Sequence, residues 1–163
     1  MNILFLDLET TGLEVHRAKI CQLGIIYKDK GKSILVNPGI QIPEGASKIH
    51  GIYDHMVKDS PSFEGIAMKL YEIINECDVV CGYNIRKYDW PILYIEFLRC
   101  GIELQDKVII DVYEMIAELE KSKKLKDVYL RMIGKDLKGA HDALNDIQAT
   151  KDVYDFLIKK LEI

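Results

Sequence analysis

Apolar positions along the chain fall into short runs and helical stripes, and their order predicts the architecture. Residues 2–8 (NILFLDL) form an apolar run short enough for a buried strand, which TTG at 10–12 ends. Two further runs, KICQLGIIYKD and KSILVNP, flank the turn-like KDKGK at 28–32, so the first three strands read as a meander. From Asn37 to about Ser62 the composition turns to Pro, Gly and Ser, and this stretch reads as a loop carrying its own PEGASKIHGI segment. Phe63, Ile66, Ala67, Leu70, Ile73 and Ile74 then recur at spacings of three and four, the period of a helix, before the short buried strand DVVCGY. Pro91 fits only the first turn of the next helix, which therefore begins near Tyr88 or Asp89 and runs to the Gly101 stop. KVIIDVYEMIAEL reads as a strand passing into a helix, and a helix over Leu125 to Met132 follows the break KSKKLK. The last helix shows Ala143, Leu144, Ile147, Thr150, Tyr154, Leu157, Ile158 and Leu161 on one wide face. Three strands, helix, strand, helix, strand and helices make a mixed sheet sandwiched by helices, an α/β domain.

With 163 residues, 48% of them apolar and 29% charged, the composition excludes disorder, collagen and disulfide scaffolds, and the chain reads as one domain over 1–163. No stretch approaches the roughly 18 apolar residues of a membrane span, and MNILFLDLETTG lacks the basic flank and cleavage site of a signal peptide. The expectation is a cytoplasmic protein with no membrane partner. Cys21, Cys77, Cys81 and Cys100 are irregularly spaced without CxxC, and read as reduced core thiols. A net charge of −4 argues against broad electrostatic binding of nucleic acid but says nothing of local clusters. One such cluster, Lys121, Lys123, Lys124 and Lys126, either tracks a phosphate backbone or is a solvated surface.

Acidic residues carry the chemistry. Asp7 and Glu9 stand two apart, so on a strand both side chains share one sheet face. Two buried acids there repel each other unless something positive, such as a divalent cation, sits between them; the alternative is that the strand ends at Leu6 and both lie in a solvated loop. Asp89 opens a helix after a strand, where it could be an ordinary helix N-terminal carboxylate. Asp146 lies among apolar positions near the start of the last helix. His141 precedes it by five residues, which on a continuous helix separates them by about 140°; if the helix instead starts at Asp142 or Ala143, His141 is on the feeding loop and can share the cleft. Four acids and one histidine, from one strand end and two helix starts, match what two-metal phosphoryl hydrolysis requires: oxygen ligands for two hard cations, and a base. Two carboxylates about 4 Å apart repel by about 4 kcal/mol at an effective dielectric near 20, a cost that favours a functional reading.

These residues carry a family likeness. DLETTG at 7–12, SKIHGI at 47–52, GYNIRKYDWPIL at 82–93 and AHDALNDIQAT at 140–150 resemble, in order, the motifs of the DEDD exonuclease superfamily. The histidine five residues before the last Asp resembles its histidine branch, the DnaQ-like group typified by the proofreading epsilon subunit of bacterial replicative DNA polymerase. The tyrosine branch would place Tyr where Asp142 stands. The resemblance implies a ribonuclease-H-like fold with a mixed five-stranded sheet flanked by helices, two Mg²⁺ or Mn²⁺ ions, and release of nucleoside monophosphates from a single-stranded or frayed 3′ end. It further implies that Asp7, Glu9, Asp89 and Asp146 hold the ions, with Asp7 bridging, and that His141 is the general base. Thr10, Thr11, Gly12 and Leu13 would line the terminal nucleotide, with His50 on its other side and Tyr88 stacking on a base. The family pattern places an Asn four residues before its second-motif Asp, whereas Asn84 precedes Asp89 by five. The chain ends at Ile163 without the tail by which epsilon subunits hold their polymerase, so it reads as a free-standing exonuclease domain or one trimmed to that length, with a polymerase subunit left open as partner. DNA in proofreading or repair is the main expectation. The rivals are an RNA-trimming or oligoribonucleotide-degrading enzyme and, from another class, a nucleic-acid-binding module with decayed catalysis.

Overall fold

Strand β1 (Ile3–Thr10) is the centre of the fold, and its alternation explains the layers on either side. The computed structural model describes residues 1–117 and 124–161. Leu4, Leu6 and Leu8 point to one face and join the packing of helices α3 (Phe63–Glu76) and α4 (Asp89–Arg99) through Leu70, Ile74, Leu93 and Phe97. Phe5 points to the other face and meets α7 (Ala143–Leu161), its ring 5.7 Å edge-on from Tyr154. Each fully buried Leu or Phe of this kind stabilises the domain by roughly 1.5–3 kcal/mol. Asp7 and Glu9 follow Phe5 on the α7 face, where apolar residues would otherwise continue the core.

Strand β2 (Ile20–Tyr27) pairs antiparallel with β1 and with β3 (Lys30–Leu35), the expected meander. The turn between β2 and β3 has two central residues, Lys28 and Asp29, both at positive φ (51° and 62°), the hairpin geometry that matches strand twist. Strands β4 (Val79–Gly82) and β5 (Val108–Asp111) add in parallel on the other side, giving the mixed five-stranded order β3-β2-β1-β4-β5 with helices on both faces. The β1–β4 pairing runs only from Ile3 to Phe5, so the last part of β1 has no strand partner on that side. Helices α5 (Val112–Ile116) and α6 (Leu125–Ile133) pack with α7 through Ile116, Val128, Ile147 and Val153.

Two expectations are corrected. The segment from Asn37 to Ser62 contains two short helices, α1 (Glu44–His50) and α2 (Asp54–Val57). They are too short for a periodic stripe, although Pro43 before α1 and Gly51 after it, at φ 74°, are start and stop signals. Cys100 is a half-buried residue at the end of α4 rather than a core thiol, whereas Cys21, Cys77 and Cys81 are buried. All four are free. Lys121 and Lys123 lie outside the described residues. No helix among the described residues is long and apolar enough to cross a membrane.

Candidate active site

Both acids of the DLE segment lie within β1, so the loop alternative is set aside and they share the α7 face. Asp7 Oδ2 is shut off from solvent and has no hydrogen-bond partner, the one such side-chain atom among the described residues. Burial, then the charges of Asp89, Glu9, Asp146 and Asp142, raise its carboxyl well above the usual range. Glu9 is pushed up to about 8 by burial and by Asp146, Asp89 and Asp142.

Asp89 enters the cleft from the first residue of α4, with Pro91 in the same turn as expected. Its Oδ2 accepts the Leu8 N–H at 3.0 Å, taking the place of the ladder bond that β4 does not make there. Burial lifts Asp89 to about 7, and the bond from Leu8 pulls the other way. The loop ahead of α4 is shaped by Asp111, a buried acid at the end of β5 that sequence reasoning passed over. Asp111 accepts N–H bonds from Asn84 (2.8 Å), Arg86 (3.2 Å) and Tyr113 (3.0 Å), the last as the cap of α5. Its signal was the cap pattern DVYE, with Asp111 three residues before Glu114. Asn84 sits at φ 56° and Trp90 N–H reaches back five residues to Ile85 O, a wide turn within the long Asn84–Asp89 spacing. Tyr88, on the same loop, is half-buried and packs against the core below α4, with Lys87 Nζ 5.2 Å from its ring centre.

His141 is on a loop. Its φ of 65° is incompatible with a helix, and α7 begins two residues later, which resolves the helix-or-loop alternative in favour of the shared cleft. The His141 N–H donates to Asp146 Oδ2 at 2.9 Å, so the loop that carries the imidazole is tied to the acid it accompanies. Burial raises Asp146 to about 6, against the lowering effect of that bond and of the His141 ring. Glu9, His141 and Asp146 each bring a ligand-type atom within 4.8 Å of the others, an arrangement able to hold a metal ion. A raised set of carboxyls around one orphaned oxygen is the donor chemistry of hard divalent cations, and it fits them.

The other expected residues follow β1 in the chain or pack against it. Thr10 Oγ1 donates to Gly12 O at 2.7 Å, and Thr11 is buried with its N–H and Oγ1 both engaged by Lys19. Gly12 has open space on its Cβ side, and Leu13 is 73% exposed beside it. His50 lies beneath this loop rather than free in the cleft. Its Nδ1 accepts the Ile52 N–H at 3.1 Å, which leaves the proton on Nε2 to donate to Thr10 O, also at 3.1 Å. Lys124 and Lys126 line a cavity of about 450 Å³ together with Leu125, Leu137, His141 and Asp146, and neither has an ion-pair partner among the described residues. Sequence reasoning also missed Gly24. It is opposite Asp7 in the β1–β2 register, and a Cβ there would meet the backbone carbonyl carbon of Ala143 at 2.6 Å. Only glycine lets the start of α7 rest directly on the sheet and bring Asp146 to the β1 acids.

The sequence model of the RNase T exonuclease family matches residues 4–154. In two Staphylococcus aureus strains, USA300 and MRSA252, the protein named 3′-5′ exonuclease DinG is 25% identical over 96% of this chain. The chain spans only 18% of the length of those relatives. Among solved structures, the zinc-bound E. coli ExoI–ssDNA complex superposes with a TM-score of 0.86 at 20% identity, covering 98% of this chain and 40% of that one. E. coli Exonuclease I with a dT13 oligonucleotide superposes at 0.84 with 19% identity, covering 97% and 41%. At that identity the superpositions establish the ribonuclease-H-like fold. The family model covers all four acids and the histidine, and the chain belongs to the exonuclease family.

Proposed function

We propose that residues 1–163 act as one metal-dependent 3′→5′ exonuclease domain that removes nucleoside monophosphates from single-stranded DNA. The observation that carries this reading is the gathering of Glu9, Asp89 and Asp146 around Asp7, whose Oδ2 is buried and unpartnered, with His141 beside Glu9 and Asp146. Asp7, Glu9, Asp89 and Asp146 would hold two divalent cations, Mg²⁺ or Mn²⁺, which when bound offset the crowded negative charge and acidify water for attack on phosphorus. His141 would serve as the general base, its loop tied to Asp146 by the bond from its own N–H to Oδ2. The Thr10–Leu13 segment receives the terminal nucleotide, with the exposed Leu13 offering apolar surface to a base, the half-buried Tyr88 the expected stacking partner, and His50 hydrogen-bonded to Thr10 O. The DinG relatives' names and the single-stranded DNA in the E. coli structures support this polarity and substrate.

Parallel DNA and RNA oligonucleotides, with Mn²⁺ and with EDTA, test the proposal. Shortening of DNA that EDTA abolishes is expected. Faster loss of RNA would reassign the substrate, and tight DNA binding without hydrolysis would make the chain a binding module.

A further inference from the structure

His141 and Asp146 belong to one segment, Glu9 to another strand, and one side chain joins them. Gln22 is the β2 partner of Glu9 in the sheet register and is buried on the same face. Its Oε1 accepts the Ala143 N–H at 3.0 Å, and its Nε2 donates to Asp142 Oδ2 at 3.2 Å. Asp142 in turn caps α7, its Oδ1 accepting the N–H groups of Leu144 (3.1 Å) and Asn145 (3.2 Å). The amide therefore satisfies the first N–H of α7 and its capping acid at once. It meets the residue between the loop of His141 and the turn of Asp146. From these contacts we infer that Gln22 is a positioning residue, which sets His141 and Asp146 at their distance from Glu9 through a two-point amide clamp on Asp142 and Ala143. The inference rests on the reading of Glu9, His141 and Asp146 as the reacting centre.

The pairing of atoms makes the clamp specific. A glutamine offers one acceptor and one donor, and here each has its complement: an N–H donor and a carboxylate acceptor. Gln22→Glu keeps the acceptor for Ala143 but turns a carboxylate on Asp142. Asp142→Asn keeps a good cap for α7 but turns an amide N–H₂ on the N–H₂ of Gln22. The two changes together restore the complement, because the new amide donates to the new carboxylate, whose other oxygen still accepts from Ala143.

The test compares Gln22→Glu, Asp142→Asn, the double variant, and Gln22→Leu, each first shown to be folded by circular dichroism. Three readouts are taken: kcat and KM on a single-stranded oligonucleotide, hydrogen exchange at the Ala143 amide, and Mn²⁺ affinity by calorimetry. Q22E and Q22L are expected to lower kcat by about 10- to 100-fold, the scale of a small misplacement of reacting groups, with KM little changed. Both should also weaken Mn²⁺ binding, and Q22L should speed Ala143 exchange. The double variant is expected to recover kcat and Mn²⁺ affinity relative to Q22E. Wild-type kcat and Ala143 protection in a folded Q22L would overturn the inference, as would a double variant no better than Q22E. A wild-type protein with no nuclease activity would sink the proposed function, while amide exchange and Mn²⁺ affinity across the four variants still decide the clamp. Unfolding of Q22E repaired in the double variant supports it, and unfolding of both beside a fully active Q22L overturns it.

Discussion

Stripping divalent cations from this fold makes its stability depend on pH in the direction opposite to ordinary acid denaturation. Glu9 is held at about 8 instead of 4.5, Asp89 at about 7 and Asp146 at about 6 instead of 3.8, with burial the leading cause in each case. A carboxyl raised in the folded state keeps its proton there after the unfolded chain has lost it. Its contribution is whole below the unfolded value and is lost as pH climbs to the folded one, here between about pH 4 and pH 8. For Glu9 alone, three pH units of that window, from 5 to 8, correspond to about 4 kcal/mol at about 1.4 kcal/mol per unit. The acids titrate together, each proton relieving the rest, so the cluster is given this one figure rather than a sum. At roughly 2–4 °C per kcal/mol for a chain of this size, the melting temperature in EDTA should fall by about 8–16 °C between pH 5 and pH 8. Calorimetric melts across that range read it directly. Mn²⁺ at a hundred times its dissociation constant should add about 2.7 kcal/mol at pH 8 and flatten the curve, and Glu9→Gln should flatten it without metal. A melting temperature in EDTA that is level or rises from pH 5 to pH 8, with no response to Mn²⁺, would refute the reasoning.

Three other outcomes follow from particular contacts. His141→Ala should cut turnover by about 10²- to 10⁴-fold while leaving Mn²⁺ affinity nearly intact, as measured by calorimetry; lost affinity would instead make the imidazole a ligand, consistent with its place beside Glu9 and Asp146. Gly24→Ala forces a methyl against the Ala143 backbone and should destabilise the fold by about 1–3 kcal/mol in urea titrations, with kcat suffering more than KM. If Lys124 and Lys126 meet substrate phosphates from the cavity they share with His141, K124Q/K126Q should reduce the salt slope of single-strand binding by about 0.7 per lost contact; equal slopes would assign them to solvated surface.

Most of the sheet was legible because strand alternation and turn chemistry are local. The Leu4, Leu6, Leu8 series and the KDKGK turn carry their own signals, and so does Pro91 in the first turn of α4. The acids were legible for the same reason, since a spacing of two on a strand and an apolar context around Asp146 are unusual for carboxylates. Residues whose role is a long-range contact left no such trace. Gln22 meets Ala143 and Asp142 across about 120 positions, and Gly24 matters only because α7 lands on it. His50 was visible as a motif residue, but its hydrogen bonds to Ile52 and Thr10, which turn both ring nitrogens inward, depend on how α1 folds back under β1. Helices α1 and α2 were missed because a helix of seven or four residues has too few turns to show a stripe.

The most direct test of the central claim follows a 5′-labelled single-stranded DNA oligonucleotide over time with wild type and Asp7→Asn. With Mn²⁺, the wild type should yield a ladder that shortens one nucleotide at a time from the 3′ end and releases nucleoside 5′-monophosphates, and EDTA or Asp7→Asn should stop it. Intact label-bearing DNA in every lane, or a ladder that persists in Asp7→Asn, would contradict the assignment of the Asp7 cluster as a metal-dependent exonuclease centre.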